Sequence, residues 1–151
     1  MNDQPSSTTQ TPEPGNERSM ADLYILSDLH LGEGRSPESR RYSRLECFFY
    51  DSEFAGFIDR ILVDSMAHRR RAHLILNGDV FDFLSLTRVP PGEEVEALGW
   101  TVLEDERKFG LNPTASKSAW KMAQILRGHP IFFEAMLRFI QAGHPVTFTR
   151  G

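Results

Sequence analysis

Only one cysteine, Cys47, occurs in the 151 residues of this chain. No disulfide can form within the chain, and a zinc cage built from cysteines is excluded. Cys47 lies in the run Leu45-Glu46-Cys47-Phe48-Phe49, where a small packed hydrophobe is expected rather than a reactive thiol. No stretch approaches the ~20 apolar residues that a membrane span needs. Basic residues are outnumbered, 17 Lys and Arg against 21 Asp and Glu, for a net charge of −4. That balance argues against bulk nucleic-acid binding, which calls for a basic surface. It leaves small phosphorylated substrates open, because a bound metal reverses the local field. No Gly-x-Gly-x-x-Gly follows the first apolar run, and there is no Gly-Lys-Ser/Thr phosphate loop. An unrelated nucleotide-binding α/β domain therefore has no support.

Residues 1–20 also lack an apolar core. They are rich in Pro, Ser, Thr, Gln and Asn, with no basic region followed by a hydrophobic one. Neither a signal peptide nor an Arg-rich transit peptide is indicated, and a disordered leader is expected. The default localisation is cytoplasmic, or peripheral to a membrane.

From Ala21 onward the chain carries the signals of order. Leu23-Tyr24-Ile25-Leu26 and His73-Leu74-Ile75-Leu76 are short apolar runs that end in polar turn residues, the pattern of strands buried in a parallel sheet. Val146-Thr147-Phe148-Thr149 reads as a third. Strands are thus expected near 22–27, 73–77 and 146–149. Between the first two, apolar residues from Leu45 to Met66 recur at spacings of three and four. This predicts an amphipathic helix over 43–69, with a break near Asp51-Ser52. Arg69, Arg70 and Arg71 are read as its solvated end. Strand, helix, strand in this order implies a parallel βαβ unit. Residues 85–115 are irregular, with a short acidic helix expected in 93–106. Two further helices are expected, from after Pro113 to Arg127 and from Ile131 to Ala142. Each ends in Gly-His-Pro, a helix-stopping triplet with Gly at the C′ position. His129 and His144 are read as helix-terminal residues before any metal role. Helices on one side of such a sheet would leave its other face bare.

Chemistry concentrates at two places, Asp28-Leu29-His30 and Gly78-Asp79-Val80-Phe81-Asp82. Both lie at the carboxyl ends of expected parallel strands, the edge where ligands bind in open α/β sheets. Residues i and i+2 of a strand share a side. Extended geometry would therefore let Asp28 and His30 offer a carboxylate and an imidazole to one cation. Asp79 has two oxygens and can bridge two. This donor mixture suits Zn, Fe or Mn better than Ca, and a metal pair ~3.5–4 Å apart can clamp both oxygens of a phosphoryl transfer. Asp82 is read equally as a support or substrate contact or as an N-cap. Arg35, Arg40, Arg41 and Arg44 follow the first motif. They are either solubilising charge or, by their fork geometry, phosphate contacts.

Ile25-Leu26-Ser27-Asp28-Leu29-His30-Leu31-Gly32 and Leu76-Asn77-Gly78-Asp79-Val80-Phe81-Asp82 resemble the first two motifs of the calcineurin-like metallophosphoesterases. The variety is similar to the bacterial group that includes UDP-diacylglucosamine pyrophosphatases. The resemblance covers about Asp22 to Gly151. It implies the N-terminal half of an αββα sandwich and a hydrolase acting on phosphoester or pyrophosphate bonds. It also implies two divalent metal ions (Mn, Fe or Zn) and a phosphorylated small molecule or lipid precursor as substrate. Carried over by motif, Asp28 and His30 would bind the first metal and Asp79 would bridge both. Gly78 would let the backbone pass close, with Asp82 and Arg35 as supporting or substrate contacts. The family's third motif is Gly-Asn-His-Asp/Glu. Val146 to Gly151 matches its strand and opening glycine, whereas the Asn and His have no counterpart. The expectation is a domain truncated at its third motif, its catalytic His beyond Gly151, and almost no activity from this chain alone. The alternative is a non-catalytic binding module or inactive fragment on the same fold.

Overall fold

The computed structural model describes residues 21–150. The expected leader and Gly151 lie outside this range. Three strands, β1 (Ala21–Ser27), β2 (Arg71–Asn77) and β3 (Val146–Phe148), form one parallel sheet in the order β1-β2-β3. In register, Leu23 sits beside His73, Ile25 beside Ile75, and Ile75 beside Thr147. Among the described residues there are five helices: α1 (Asp51–His68), α2 (Gly92–Ala97), α3 (Glu104–Phe109), α4 (Ala115–Gly128) and α5 (Pro130–Gln141). The architecture is mixed α/β. No helix among the described residues is long and apolar enough to cross a membrane.

The core follows from alternation along the strands. Ala72, Leu74 and Leu76 are buried on one face of β2, where α1 lies on the strand and α5 packs along α1. Phe54 of α1 stacks on Phe132 of α5 with ring centroids 4.0 Å apart. Ile58, Ile61, Ala135 and Phe139 complete the layer. Each of the larger side chains here, the Ile and Phe residues, contributes about 1.5–3 kcal/mol by leaving water. The opposite sheet face is open, and Leu23 and Ile25 are each more than 60% exposed, at 62% and 63%.

Several sequence expectations need correction. Helix α1 begins at Asp51, not near Ser43. The apolar spacing of 43–50 reflects Phe48 reaching the core from a loop, because the Glu46 carboxylate occupies the backbone N–H groups of Cys47 (3.1 Å) and Phe48 (2.9 Å). That inward turn of Glu46 and Phe48 leaves Cys47 between them exposed, not packed. The acidic segment holds two short helices, α2 and α3, instead of one. Of the three arginines, Arg69 alone caps α1, in left-handed conformation (φ 52°). Arg70 pairs with Asp22 at 3.2 Å, and Arg71 opens β2. The two Gly-His-Pro triplets end helices differently. Gly143 has the positive φ of 85° expected after α5. Gly128 is instead the last residue of α4, and His129 alone separates it from Pro130 at the start of α5.

Candidate metal-binding crevice

Beyond Ser27 and Asn77 the two motif loops continue side by side. Asp28 N–H donates to Asn77 O (3.1 Å), His30 N–H to Asp79 O (2.9 Å), and Leu31 N–H to Val80 O (2.9 Å). Asp82 N–H returns to Leu31 O at 2.8 Å. This ladder places the first motif against the second at the carboxyl edge of the sheet, as strand order alone would suggest. The strand geometry itself does not persist. Asp28 and His30 have φ of 53° and 51°, both left-handed, so the same-side argument for i and i+2 fails at these residues. Left-handed backbone at two non-glycine residues costs of order 1 kcal/mol or more each and tends to be kept at functional sites. Gly78 joins them with φ 77°, and a Cβ on it would collide with Asp28 Oδ1. The Asp28 carboxylate therefore rests on a glycine that only a missing side chain accommodates.

His30, Asp79, Phe81, Asp82, Phe83 and Leu84 line an open depression of about 400 Å³. Asp79 also borders a second one with Gly78, Phe148 and Thr149. Phe81 stacks between Phe133 (6.3 Å) and Phe148 (5.9 Å), which ties the second motif to α5 and β3. Asp82 makes a turn: its Oδ1 accepts from Leu84 N–H (3.0 Å) and Ser85 N–H (3.1 Å). No helix starts there, so it caps a turn and not a helix. Behind it the buried Lys121 donates to Phe83 O at 2.9 Å. Burial lowers the Lys121 pKa, while the charges of Asp82 and Glu106 oppose the shift. Arg35 stands apart. Its Nε donates to Arg40 O (2.6 Å), and its side chain lines a different cavity.

The loop that follows His30 is held by a network the sequence reading missed. The Glu46 carboxylate accepts N–H groups from Gly32 (3.1 Å) and Gly34. His129, 0% exposed, lies between Glu46 (3.4 Å from Nε2) and Asp51 (3.1 Å from Nδ1). The first contact is an ion pair without hydrogen-bond alignment. Burial would lower the His129 pKa, but Asp51 and Glu46 outweigh it and raise it to about 9. Burial would likewise raise Glu46, and the His129 ion pair with the N–H groups of Phe48, Gly34 and Gly32 instead hold it at about 2. His129 is thus a buried cation clamped by two carboxylates. Beside it, Gly34 and Gly128 approach so closely that a Cβ on either would meet the other's segment. The available sequence signal was Glu46 itself, a carboxylate set inside an apolar run.

In chemical type, Asp28, His30 and Asp79 suit a borderline divalent ion. In number they fall short of the four donors of a closed site. Among the described residues, no group of three or more His, Cys, Asp or Glu gathers closely enough to hold a metal. Comparisons with family models, curated proteins and solved structures return no match for this chain.

Proposed function

We propose that this chain carries the first part of a metal-dependent phosphoesterase site, for hydrolysis of a phosphoester or pyrophosphate bond on a fold of the metallophosphoesterase kind. The observation that carries the reading is the backbone ladder from Asp28 to Asp82, which sets two resembling motifs against each other at the ligand-binding edge of the sheet. His30 Nδ1 or Nε2 and the carboxylates of Asp28 and Asp79 would hold the metal. A bound divalent ion supplies Lewis acidity and lowers the pKa of water. The chain's own residues do the rest of the positioning. Gly78 admits the Asp28 carboxylate, Asp82 fixes the turn over the depression, and Phe81 anchors the second loop between two rings. Among the described residues, His30 is the only histidine lining the depression. If it binds metal, no imidazole there remains to protonate a leaving group, and turnover by this chain is expected to be close to zero.

The incomplete donor set favours a second reading, a non-catalytic module on the same fold. The two readings part on metal binding. Equilibrium dialysis with Mn²⁺ should show binding by the wild-type chain that Asp79→Asn and His30→Ala each weaken by tenfold or more. Absence of binding, or binding indifferent to both substitutions, overturns the metal reading and leaves the second.

A further inference from the structure

A separate cavity of about 210 Å³ lies beyond the loop that follows His30, lined by Arg35, Arg41, Arg88 and Arg127. The four guanidinium groups come from three separate segments: the 35–41 loop, the stretch after the second motif, and the end of α4. Among the described residues, Glu33 and Glu38 are its only carboxylates, so this lining carries four positive charges against two negative ones. In a chain of net charge −4, a concentration of this sign runs against composition.

Glu33 is ion-paired, whereas Glu38 keeps a charge that acts on Arg88 and Arg127 and only partly offsets the arginines. Glu33 pairs with Arg88 at 3.0 Å, and Glu38 accepts from Ser36 Oγ at 2.8 Å. Arg35 is spent on Arg40 O and lies over the Tyr42 ring, 6.0 Å from its centroid. Arg41 and Arg127 find no side-chain hydrogen-bond or ion-pair partner among the described residues. The floor is rigid, because Arg35 N–H donates to Gly128 O at 3.0 Å and the Gly34–Gly128 contact allows no side chain between them. An adjoining cavity of about 360 Å³ shares Arg35 and Arg127 and opens on the first residues of α1 and α5. The amino ends of α1 and α5 thus face the adjoining cavity, whereas the carboxyl end of α4, of opposite dipole, lines the first, so the arginines and not the helices supply its positive field.

We propose that this arginine-lined cavity is an anion site, distinct from the depression lined by His30 and Asp79, that takes a phosphate or diphosphate group through Arg41 and Arg127. Guanidinium presents paired donors that match phosphate oxygens, and two unpaired forks on a fixed floor can grip one group from two sides. The site needs no metal, so it stands or falls independently of the phosphoesterase reading.

The test is calorimetric titration of the whole chain with inorganic pyrophosphate in the presence of EDTA. Saturable binding that weakens with added salt is expected. Arg41→Gln with Arg127→Gln should weaken it by about tenfold or more, and the paired lysine substitutions should restore part of it. Both positions are exposed, so the fold should tolerate the changes, and each single glutamine variant serves as a second measurement with a partial loss expected. Asp79→Asn should bind as wild type does. The proposal is overturned if the wild type shows no saturable binding, if the double glutamine variant binds equally well, or if Asp79→Asn abolishes binding.

Discussion

Replacing His129 by glutamine tests the buried clamp beneath the first motif. Gln keeps hydrogen-bonding capacity and much of the volume but carries no charge. In the wild type, His129 is raised from 6.5 to about 9 in the folded chain, against burial, by Asp51 and Glu46. At 1.36 kcal/mol per tenfold change, that difference is worth about 3 kcal/mol at most. The true share is smaller, because both carboxylates contribute to one coupled network and neither can be counted twice. About 2 kcal/mol is the working figure. The sign follows from linkage. A folded pKa above the unfolded one gives stability that is fully present below pH 6.5 and is lost as pH rises through about 9. Urea denaturation at a pH below 6.5 should therefore show His129→Gln destabilised by roughly 2 kcal/mol or more, since two buried carboxylates lose their cation. At a pH above 9 the wild type has lost the same charge, and the gap between the two proteins should shrink by about that amount. A gap that is the same at both pH values would refute the assignment of a charged His129.

Other perturbations follow from the same contacts. Gly78→Ala forces a side chain into φ 77° and against Asp28 Oδ1; a loss of at least about 1–2 kcal/mol is expected by thermal unfolding. Lys117 donates to the buried Glu106 at 2.6 Å. Lys117→Met should cost about 3–5 kcal/mol in urea by stranding that carboxylate. Glu106 is held at about 2 by hydrogen bonds from Lys117 and the backbone of Leu103 and Asn112, so its contribution should be present above pH 4.5 and fade as pH falls toward 2. The open sheet face, with Leu23 and Ile25 exposed, should drive concentration-dependent association. Sedimentation of the Leu23→Lys, Ile25→Lys variant should show less of it than the wild type.

The sheet was legible because its strands are short apolar runs closed by polar turns. All three appear in order, with only the ends shifted: β2 gains Arg71 and Ala72, which period alone cannot separate from the helix end. The start of α1 was not legible. Leu45, Phe48 and Phe49 keep helical spacing, and only the long-range bonds from Glu46 to Gly32 and Gly34 reveal a loop. The candidate site was half legible. Sequence placed Asp28, His30, Asp79 and Asp82 at one edge, and the ladder brings their loops together there. It did not foresee left-handed Asp28 and His30, because a strand pattern carries no warning of where the strand stops. Nor did it place Arg35, which the 35–41 loop carries to another cavity. His129 looked like a helix terminus and is one. Its burial between Glu46 and Asp51 joins residues far apart in sequence, and no local rule reports such contacts.

The proposed site requires the two motif loops to hold a divalent ion through His30. Pulsed electron paramagnetic resonance of the chain with substoichiometric Mn²⁺ reads it most directly, because a ligating imidazole couples its nitrogen to the metal. A nitrogen coupling is expected that disappears in His30→Gln and survives in His144→Gln, whose ring accepts from Ala72 N–H at 3.2 Å at the amino end of β2. A spectrum of Mn²⁺ with water alone, or a nitrogen coupling that persists without His30, would contradict it.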